Sequence, residues 1–393
     1  MKNIKLYAQK IYLSTPAIVV LLLVFGGFLV NCFFSNTFLL DNRPLAKKPD
    51  ALTPHFAHDF EQYYNDTFAG RKKLVKKFSK LKLKLGLDTG FTINGLDGWM
   101  FYDSAKVPDG YTLIDYYGEL SFTPEEEEIM AQGMQRAKDF YAKRGIDYVI
   151  AVVPNKEGLY SEYMPLRMQK ARVSDISRTD RAISYAQKNT NVAIINWRDD
   201  LVRAKERISH SLYYKKDSHW NNIGAYVAYQ SLAKKLKTMG YNIEVTDFRE
   251  DMITNIYATR SDLSVDGEPD INFTINYKTD QHPNNIIDED HGFFQIWENP
   301  TAQVKKRVLL IRDSQGIALM RYMQKDFAYG VYAHSKWNTK EGLKELIETY
   351  KPDLVIDETG ERYFNRFLKY NDLYGEEYYE IYFSDRRCWF YRG

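Results

Sequence analysis

Asp217 and His219 stand one residue apart in Asp217-Ser218-His219-Trp220, between two strongly hydrophobic stretches. Ser314 comes roughly a hundred residues later, after Val308-Leu309-Leu310-Ile311-Arg312-Asp313. A seryl hydroxyl is nearly inert at neutral pH because it holds its proton tightly. An imidazole that accepts the proton during attack contributes about 10²–10⁴-fold, and a carboxylate on its other nitrogen keeps it in the right tautomer. One loop therefore supplies orienter and base, Asp217 and His219. Ser314 sits where a buried strand turns into a helix, the end at which ligands gather in open α/β sheets. Its own backbone amide is the natural first donor to an oxyanion, each such donor being worth about 10²–10³ in rate. By spacing alone, surface or capping roles stay open for all three residues. So does metal binding by Asp217 and His219 with His282 or His291, although no close-spaced ligand motif marks those histidines and no metal is expected.

Positioning these groups requires a sheet, and the chain reads as one. Thr123-Pro124-Glu125-Glu126 opens a helix, with Thr123 as cap, Pro124 at the first position and Glu126 completing a capping box. Met130, Met134, Ala137 and Tyr141 continue its buried stripe, Gly145 ends it, and Tyr148 to Val153 reads as a buried strand. A helix from about Thr179 to Lys188 then leads to a strand over 192–197. Ala225, Ala228, Leu232 and Leu236 line a helix after Trp220, and further strands fall at 307–312, 329–333 and 353–357. Strands alternating with helices predict a mostly parallel sheet covered by helices on both faces. The stretch from about Glu244 to Asn299 breaks the rhythm and reads as a β-containing insertion.

Location is legible at the other end. Thr15 to Phe34 is about twenty uncharged residues, the length that spans a bilayer as a helix. Lys2, Lys5 and Lys10 precede it, so 1–14 is expected as a cytoplasmic tail and the remaining chain outside. A cleaved signal peptide would have a shorter apolar core, no Ala-x-Ala-like site follows, and Asn31 fits poorly before a lipoprotein Cys32. Residues 35–94 read as a spacer with Pro44, Pro49 and Pro54, followed by a basic amphipathic helix over about 60–85 suited to anionic lipid or polymer, or simply a solvated face. Residues 95–393 are expected as the catalytic domain. The chain has 393 residues, a formal charge of +2 and two cysteines, Cys32 and Cys388. Nothing there demands nucleic acid, and an extracytoplasmic domain without disulfides suits a bacterial exterior.

Several strings in order resemble the alginate O-acetyltransferase family with an SGNH-hydrolase-like domain, the DHHW group. They are Tyr63-Tyr64-Asn65-Asp66 with Phe68 and Arg71, Gly95-Leu96-Asp97-Gly98-Trp99-Met100-Phe101-Tyr102, Val153-Pro154-Asn155-Lys156, and Tyr160-Ser161-Glu162-Tyr163-Met164-Pro165. Leu212 to Trp220 with Gly224-Ala225, Asp313-Ser314, and Glu361-Arg362 complete the set, which spans about 57 to 365. The resemblance implies an SGNH-like fold in circularly permuted motif order, with Asp217, His219 and Ser314 as catalytic residues. Arg312 departs from it by standing where a Gly commonly precedes Asp-Ser. It would narrow the turn, add positive charge near an oxyanion, or be a neutral surface replacement.

In that order Asn155, Lys156 and Arg362 lie at the ends of central strands and are candidates for substrate or oxyanion contact. Glu361 and Arg362 can equally form a structural ion pair, and Trp220 either stacks on a sugar or packs beneath its loop. The implied activity is acetyl transfer to hydroxyls of an exopolysaccharide or other cell-envelope glycan. The implied partners are that polysaccharide acceptor and a multispanning membrane O-acyltransferase that passes acetyl across the bilayer, with no soluble cofactor. The same triad would also serve a glycan O-acetylesterase, and a non-catalytic glycan-binding or envelope-assembly protein is the third reading.

Overall fold

The structure is a computed structural model that describes residues 45–84, 90–105, 110–264, 268–289 and 292–375. The expected membrane anchor 15–34, His291, both cysteines and the aromatic tail beyond 375 lie outside the described residues. Among the described residues, no helix is long and apolar enough to cross a membrane. The chain divides into two compact units, Met1–Thr89 and Gly90–Gly393.

In the first unit the expected amphipathic helix is two helices, Phe56–Thr67 and Arg71–Lys84. Phe68 leaves helical geometry and ends the first of them. The spacer is tied back where the Ala46 N–H donates to Asp66 Oδ2 at 3.0 Å. The second helix carries Leu74, Phe78 and Leu81 exposed on one face.

The second unit begins with β1 (Thr92–Asn94) and β2 (Met100–Tyr102), paired antiparallel. Asp97 and Gly98 both take positive φ in the turn, a backbone that Gly and Asp tolerate best. Because β1 pairs with β2, it belongs to this unit and not to the spacer in which 92–94 were expected. The helix Pro124–Ala142 then forms as the sequence predicts. The Thr123 hydroxyl accepts the Glu126 N–H, and Glu126 accepts in return from Thr123 N–H.

A seven-stranded sheet follows from β3 (Asp147–Val153), β4 (Ala193–Asn196), β7 (Asn284–Glu289), β8 (Phe294–Glu298), β9 (Val304–Arg312), β10 (Phe327–His334) and β11 (Leu354–Gly360), in spatial order β4-β3-β11-β9-β10-β8-β7. The five strands from β4 to β10 run parallel, and β8 and β7 add antiparallel at one edge. The central strands are apolar without interruption because both faces are buried. Val149, Ala151, Val308, Leu310 and Ile356 face one core, while Ile150, Val152, Leu309, Ile311 and Val355 face the other. Helices Asn222–Thr238 and Ile317–Asp326 close the first core. Helices Pro124–Ala142, Arg178–Asn189 and Lys340–Tyr350 close the second. This is an SGNH-hydrolase-like α/β fold with a mixed sheet.

The segment read as one insertion is two things. β5 (Ile253–Thr259) and β6 (Asp270–Ile275) form a separate antiparallel pair, whereas β7 and β8 extend the main sheet. β8 is half-buried against β10, and hydrogen bonding to its edge overrode the polar composition that set this stretch apart.

Candidate active site

β9 delivers Ser314 through a turn braced by its neighbour. Asp313 is buried; its Oδ1 accepts the Gln315 N–H at 2.8 Å and its Oδ2 accepts the Gly360 N–H at 2.7 Å. The Asp313 N–H donates to Glu358 Oε2 at 3.0 Å. One carboxylate thus joins the carboxyl ends of β9 and β11. Gly316 is required behind it, since an added Cβ would lie 2.6 Å from Arg312 Cβ and from Glu358 Oε2. The Ser314 N–H makes no hydrogen bond among the described residues.

Arg312 is no surface replacement: it is fully buried and donates to the carbonyls of Asp313 and Gly292. It shapes the turn from inside. Burial, then the neighbouring Asp313 charge, pushes the Glu358 carboxyl well above the ordinary range.

The His219 loop is closed by its own backbone, with Tyr213 bridging antiparallel to Trp220 and Tyr214 N–H donating to His219 O. Asp217 Oδ1 accepts the His219 N–H at 2.9 Å and lies 2.7 Å from His219 Nδ1. His219 Nε2 lies 2.8 Å from Ser314 Oγ, across 95 residues of sequence. Asp217 and Ser314 therefore meet the two opposite nitrogens of one imidazole. With Nδ1 donating to the carboxylate, Nε2 is the acceptor that faces the seryl hydroxyl.

The electrostatics follow from the contacts. Burial alone would raise the Asp217 carboxyl, but the hydrogen bond and charge of His219, with the N–H groups of His219 and Asp262, hold it below the usual range. Burial likewise opposes charge on His219. The Asp217 hydrogen bond and charge, aided by Asp262 and opposed by Arg362, nonetheless raise its pKa above the ordinary value.

Two residues expected to meet substrate do something else. Lys156 is buried, and its ammonium donates to the carbonyls of Met100 at 2.6 Å, Lys215 at 2.9 Å and Asp217 at 2.9 Å. All three of its protons are engaged, so it clamps the β2 strand to the His219 loop. Burial pulls its pKa down to about 8 against the opposing pull of Glu157, Asp262, Asp270 and Asp217. Lys156→Met should preserve volume while taking a donor from three carbonyls, of which only that of Lys215 keeps a second one, from the Met100 N–H. A loss of about 3 kcal/mol is expected, read as a lower urea midpoint at unchanged slope. Trp220 is 1% exposed, and its Nε1 donates to Gln315 O at 2.9 Å. It packs against Trp197 beneath the loop and offers no face to a sugar.

The other strand-end residues divide. Glu361 is buried and accepts from Arg198 at 2.6 Å, from Ser177 Oγ and from the Asn155 N–H at 2.7 Å. It does form a structural ion pair, but with Arg198 and not with its neighbour Arg362. Asn155 follows β3 with its Nδ2 buried and without a partner among the described residues. Arg362 follows β11, lies over the rings of Tyr102 and Tyr363, and acts electrostatically on His219.

Among the described residues, Asp217, His219 and Asp262 form the one group of three or more histidine, cysteine or carboxylate side chains whose nitrogen, sulfur or oxygen atoms all lie within 4.8 Å of one another, as holding a metal ion would need. His282 is outside it. The spacings within the group include hydrogen bonds, such as the 2.7 Å from Asp217 to His219. Asp262 is the member that sequence reasoning missed.

A hydroxyl, an imidazole and a carboxylate in hydrogen-bonded series, at the carboxyl ends of a parallel sheet core, give the chain the layout of an SGNH-hydrolase-like protein. Residues 92–255 match the family described as the SGNH hydrolase-like domain of the acetyltransferase AlgX. The chain is 24% identical over 229 residues to the probable alginate O-acetylase AlgJ of Pseudomonas aeruginosa, covering 57% of this chain and 54% of that protein. It thus spans about half the length of that relative. The chain is thus similar to the SGNH-hydrolase-like alginate O-acetyltransferases, the resemblance its motif strings carry.

Among solved structures, Bacillus cereus PatB1 aligns over 70% of this chain and 97% of its own at 15% identity and a TM-score of 0.49. The O-acetyltransferase domain of Pseudomonas putida AlgJ aligns over 70% and 92% at 18% identity and a TM-score of 0.43.

Proposed function

We propose that this protein is an extracytoplasmic O-acetyltransferase, held to the bacterial cell membrane by residues 15–34 with its N-terminus in the cytoplasm. In this reading it moves acetyl groups through Ser314 onto hydroxyls of an exopolysaccharide or other cell-envelope glycan. The observation that carries the reading is the unbroken series Asp217, His219, Ser314, with 2.7 Å and 2.8 Å between successive partners.

In the first half-reaction Ser314 Oγ attacks the carbonyl carbon of the donor acetyl group while its proton passes to His219 Nε2. The developing oxyanion is met by the Ser314 N–H, a donor of the kind worth about 10²–10³ in rate. The carbon–oxygen bond to the donor then breaks, the leaving oxygen takes the Nε2 proton, and acetyl-Ser314 remains. In the second half-reaction a glycan hydroxyl gives its proton to Nε2 and attacks the acetyl-serine. Collapse returns the proton to Ser314 Oγ. Asp217 holds the tautomer throughout and stabilises the transient imidazolium.

Asn155 Nδ2, buried and partnerless, is a further candidate donor to the oxyanion, and Arg362 a candidate contact for the acceptor. The acetyl donor is supplied by a partner, in this reading a multispanning membrane O-acyltransferase, and no soluble cofactor is needed. One observation favours hydrolysis as a second reading. The His219 side chain is 26% exposed, which leaves water a path to the same imidazole.

The test is incubation of the full chain with an activated acetyl ester and an oligosaccharide. Peptide mass spectrometry should find one acetyl group on Ser314, and product analysis should find acetylated sugar. Free acetate without acetylated sugar selects the esterase reading, and donor turnover with no adduct on Ser314 rejects the serine mechanism.

A further inference from the structure

One more carboxylate reaches His219, and it comes from outside the main sheet. Asp262 lies in the connection between β5 and β6, and its Oδ2 is 3.5 Å from His219 Nδ1. That oxygen also accepts the Ser218 hydroxyl at 2.6 Å, and Oδ1 accepts the Ser218 N–H at 2.7 Å. In return the Asp262 N–H donates to Asp217 Oδ2 at 2.9 Å. The next residue continues the lacing: Leu263 N–H donates to Lys216 O at 3.1 Å, and Leu263 O accepts from Thr92 Oγ1 at 3.0 Å. Ser218, the residue between Asp217 and His219, spends both its donors on Asp262. Hydrogen bonds thus run in both directions between the two loops, which a chance surface carboxylate would not produce.

We propose that Asp262 is a positioning residue for His219, splinting its loop through Ser218 and Asp217 and placing a second negative charge beside the imidazole. This rests on the reading of His219 as the general base. The physical reason is the count and sign of charges around one ring. Asp217 faces it from its own loop, Asp262 from the β5–β6 connection, and Arg362 from the end of β11 with opposite sign. Lys156, behind the loop, has its ammonium protons committed to carbonyls. Carboxylates near an imidazole favour its protonated form and a guanidinium disfavours it. The Asp262 side chain is 40% exposed against 12% for Asp217, so solvent screens it more and its share is the smaller one. The main sheet then supplies nucleophile and support, while the connection between β5 and β6 adds a smaller adjustment to the pH range that Asp217 chiefly sets.

The test uses the full chain with labelled histidine. The His219 resonance is assigned by its absence in His219→Gln and titrated by NMR beside the pH–rate profile. Wild-type His219 should titrate above the ordinary histidine value of about 6.5. Asp262→Asn keeps size and one acceptor but removes the charge, and should lower both the His219 midpoint and the acid limb of the rate profile. Arg362→Gln should raise both. Asp262→Ala, which also breaks the splint, should lower the midpoint and in addition reduce the rate plateau.

An unchanged His219 midpoint in Asp262→Asn overturns the proposal. A midpoint that falls while the rate profile stays fixed supports the coupling and rejects His219 as the base, so the two failures are distinguishable.

Discussion

Ser314→Ala lowers acetyl transfer by about 10⁴–10⁶-fold, the range seen when a hydroxyl nucleophile is removed from a site of this kind. The remaining rate comes from substrate binding and from donors to the oxyanion, which the substitution leaves in place. The fold should scarcely register the change. Ser314 is only half-buried, and its side chain gives up a single hydrogen bond, to His219. The turn itself is held by Asp313, whose contacts to Gln315, Gly360 and Glu358 do not involve the seryl oxygen. An unfolding free energy within about 1 kcal/mol of wild type is expected from urea titration. The measurement is acetylated oligosaccharide formed per unit time, with intact mass after donor exposure as a second readout. A variant that keeps more than a tenth of the activity would remove Ser314 from the chemistry.

Asp217→Asn should cost about 10⁴-fold in rate by disturbing the tautomer of His219, and unlike the serine change it should also cost stability. Asp217 accepts three N–H groups: the His219 backbone and Nδ1 on one oxygen, and the Asp262 backbone on the other. An amide has one oxygen. If that oxygen faces His219, its NH₂ meets the Asp262 N–H; if it faces Asp262, its NH₂ meets two groups that themselves donate. In the second arrangement Nδ1 is driven to accept, the proton moves to Nε2, and the nitrogen facing Ser314 can no longer take a proton. Either way at least one buried donor is stranded, at a cost of about 1–3 kcal/mol.

The pH dependence of this loss has a definite sign. The Asp217 pKa is depressed in the folded state, so its contribution is complete above the ordinary carboxylate value and disappears as pH falls through the folded one. The His219 pKa is raised, so the stabilisation from its charged pair is complete below the ordinary histidine value and is lost as pH rises through the folded one. Wild type and Asp217→Asn should therefore converge in stability at low pH, a comparison that urea titrations across the acid range would make.

How much of this was readable in advance depended on the range of the interactions involved. The Thr123–Glu126 capping box was legible because it joins residues three apart and its chemistry is local. The equivalent cap at Ser177 and Asp180 was not, so the next helix was placed to begin a residue late; an Asp closes that box where Glu is the usual signal. The central strands were legible because burial on both faces leaves an unbroken apolar run. β7 and β8 carry mixed residues, and only the pairing of β8 with β10, and of β7 with β8, makes them part of the sheet.

Trp220 shows the same limit at a single residue. Its place beside His219 suggested a sugar platform, yet the backbone bridge to Tyr213 and the bond to Gln315 O turn its ring inward. Lys156, at a strand end, read as a substrate contact because its distance to the carbonyls of Met100, Lys215 and Asp217 is invisible along the chain. Residues 56 to 61 positions away are its partners.

By itself the sequence determined the Asp217–His219 pair, since two side chains one residue apart in a loop are within reach of each other almost wherever that loop lies. It also determined that a serine ends a buried strand and enters a helix. Only the tertiary structure decided that this serine is the imidazole's other neighbour. Strands in a sheet lie about 4.8 Å apart, so the placing of β9 beside β11, and of the His219 loop over their carboxyl ends, converts 95 residues of separation into a hydrogen bond. The same is true of Asp262. A charge acts through space and not through sequence, and folding of the β5–β6 pair against the loop is what brings this one to the ring.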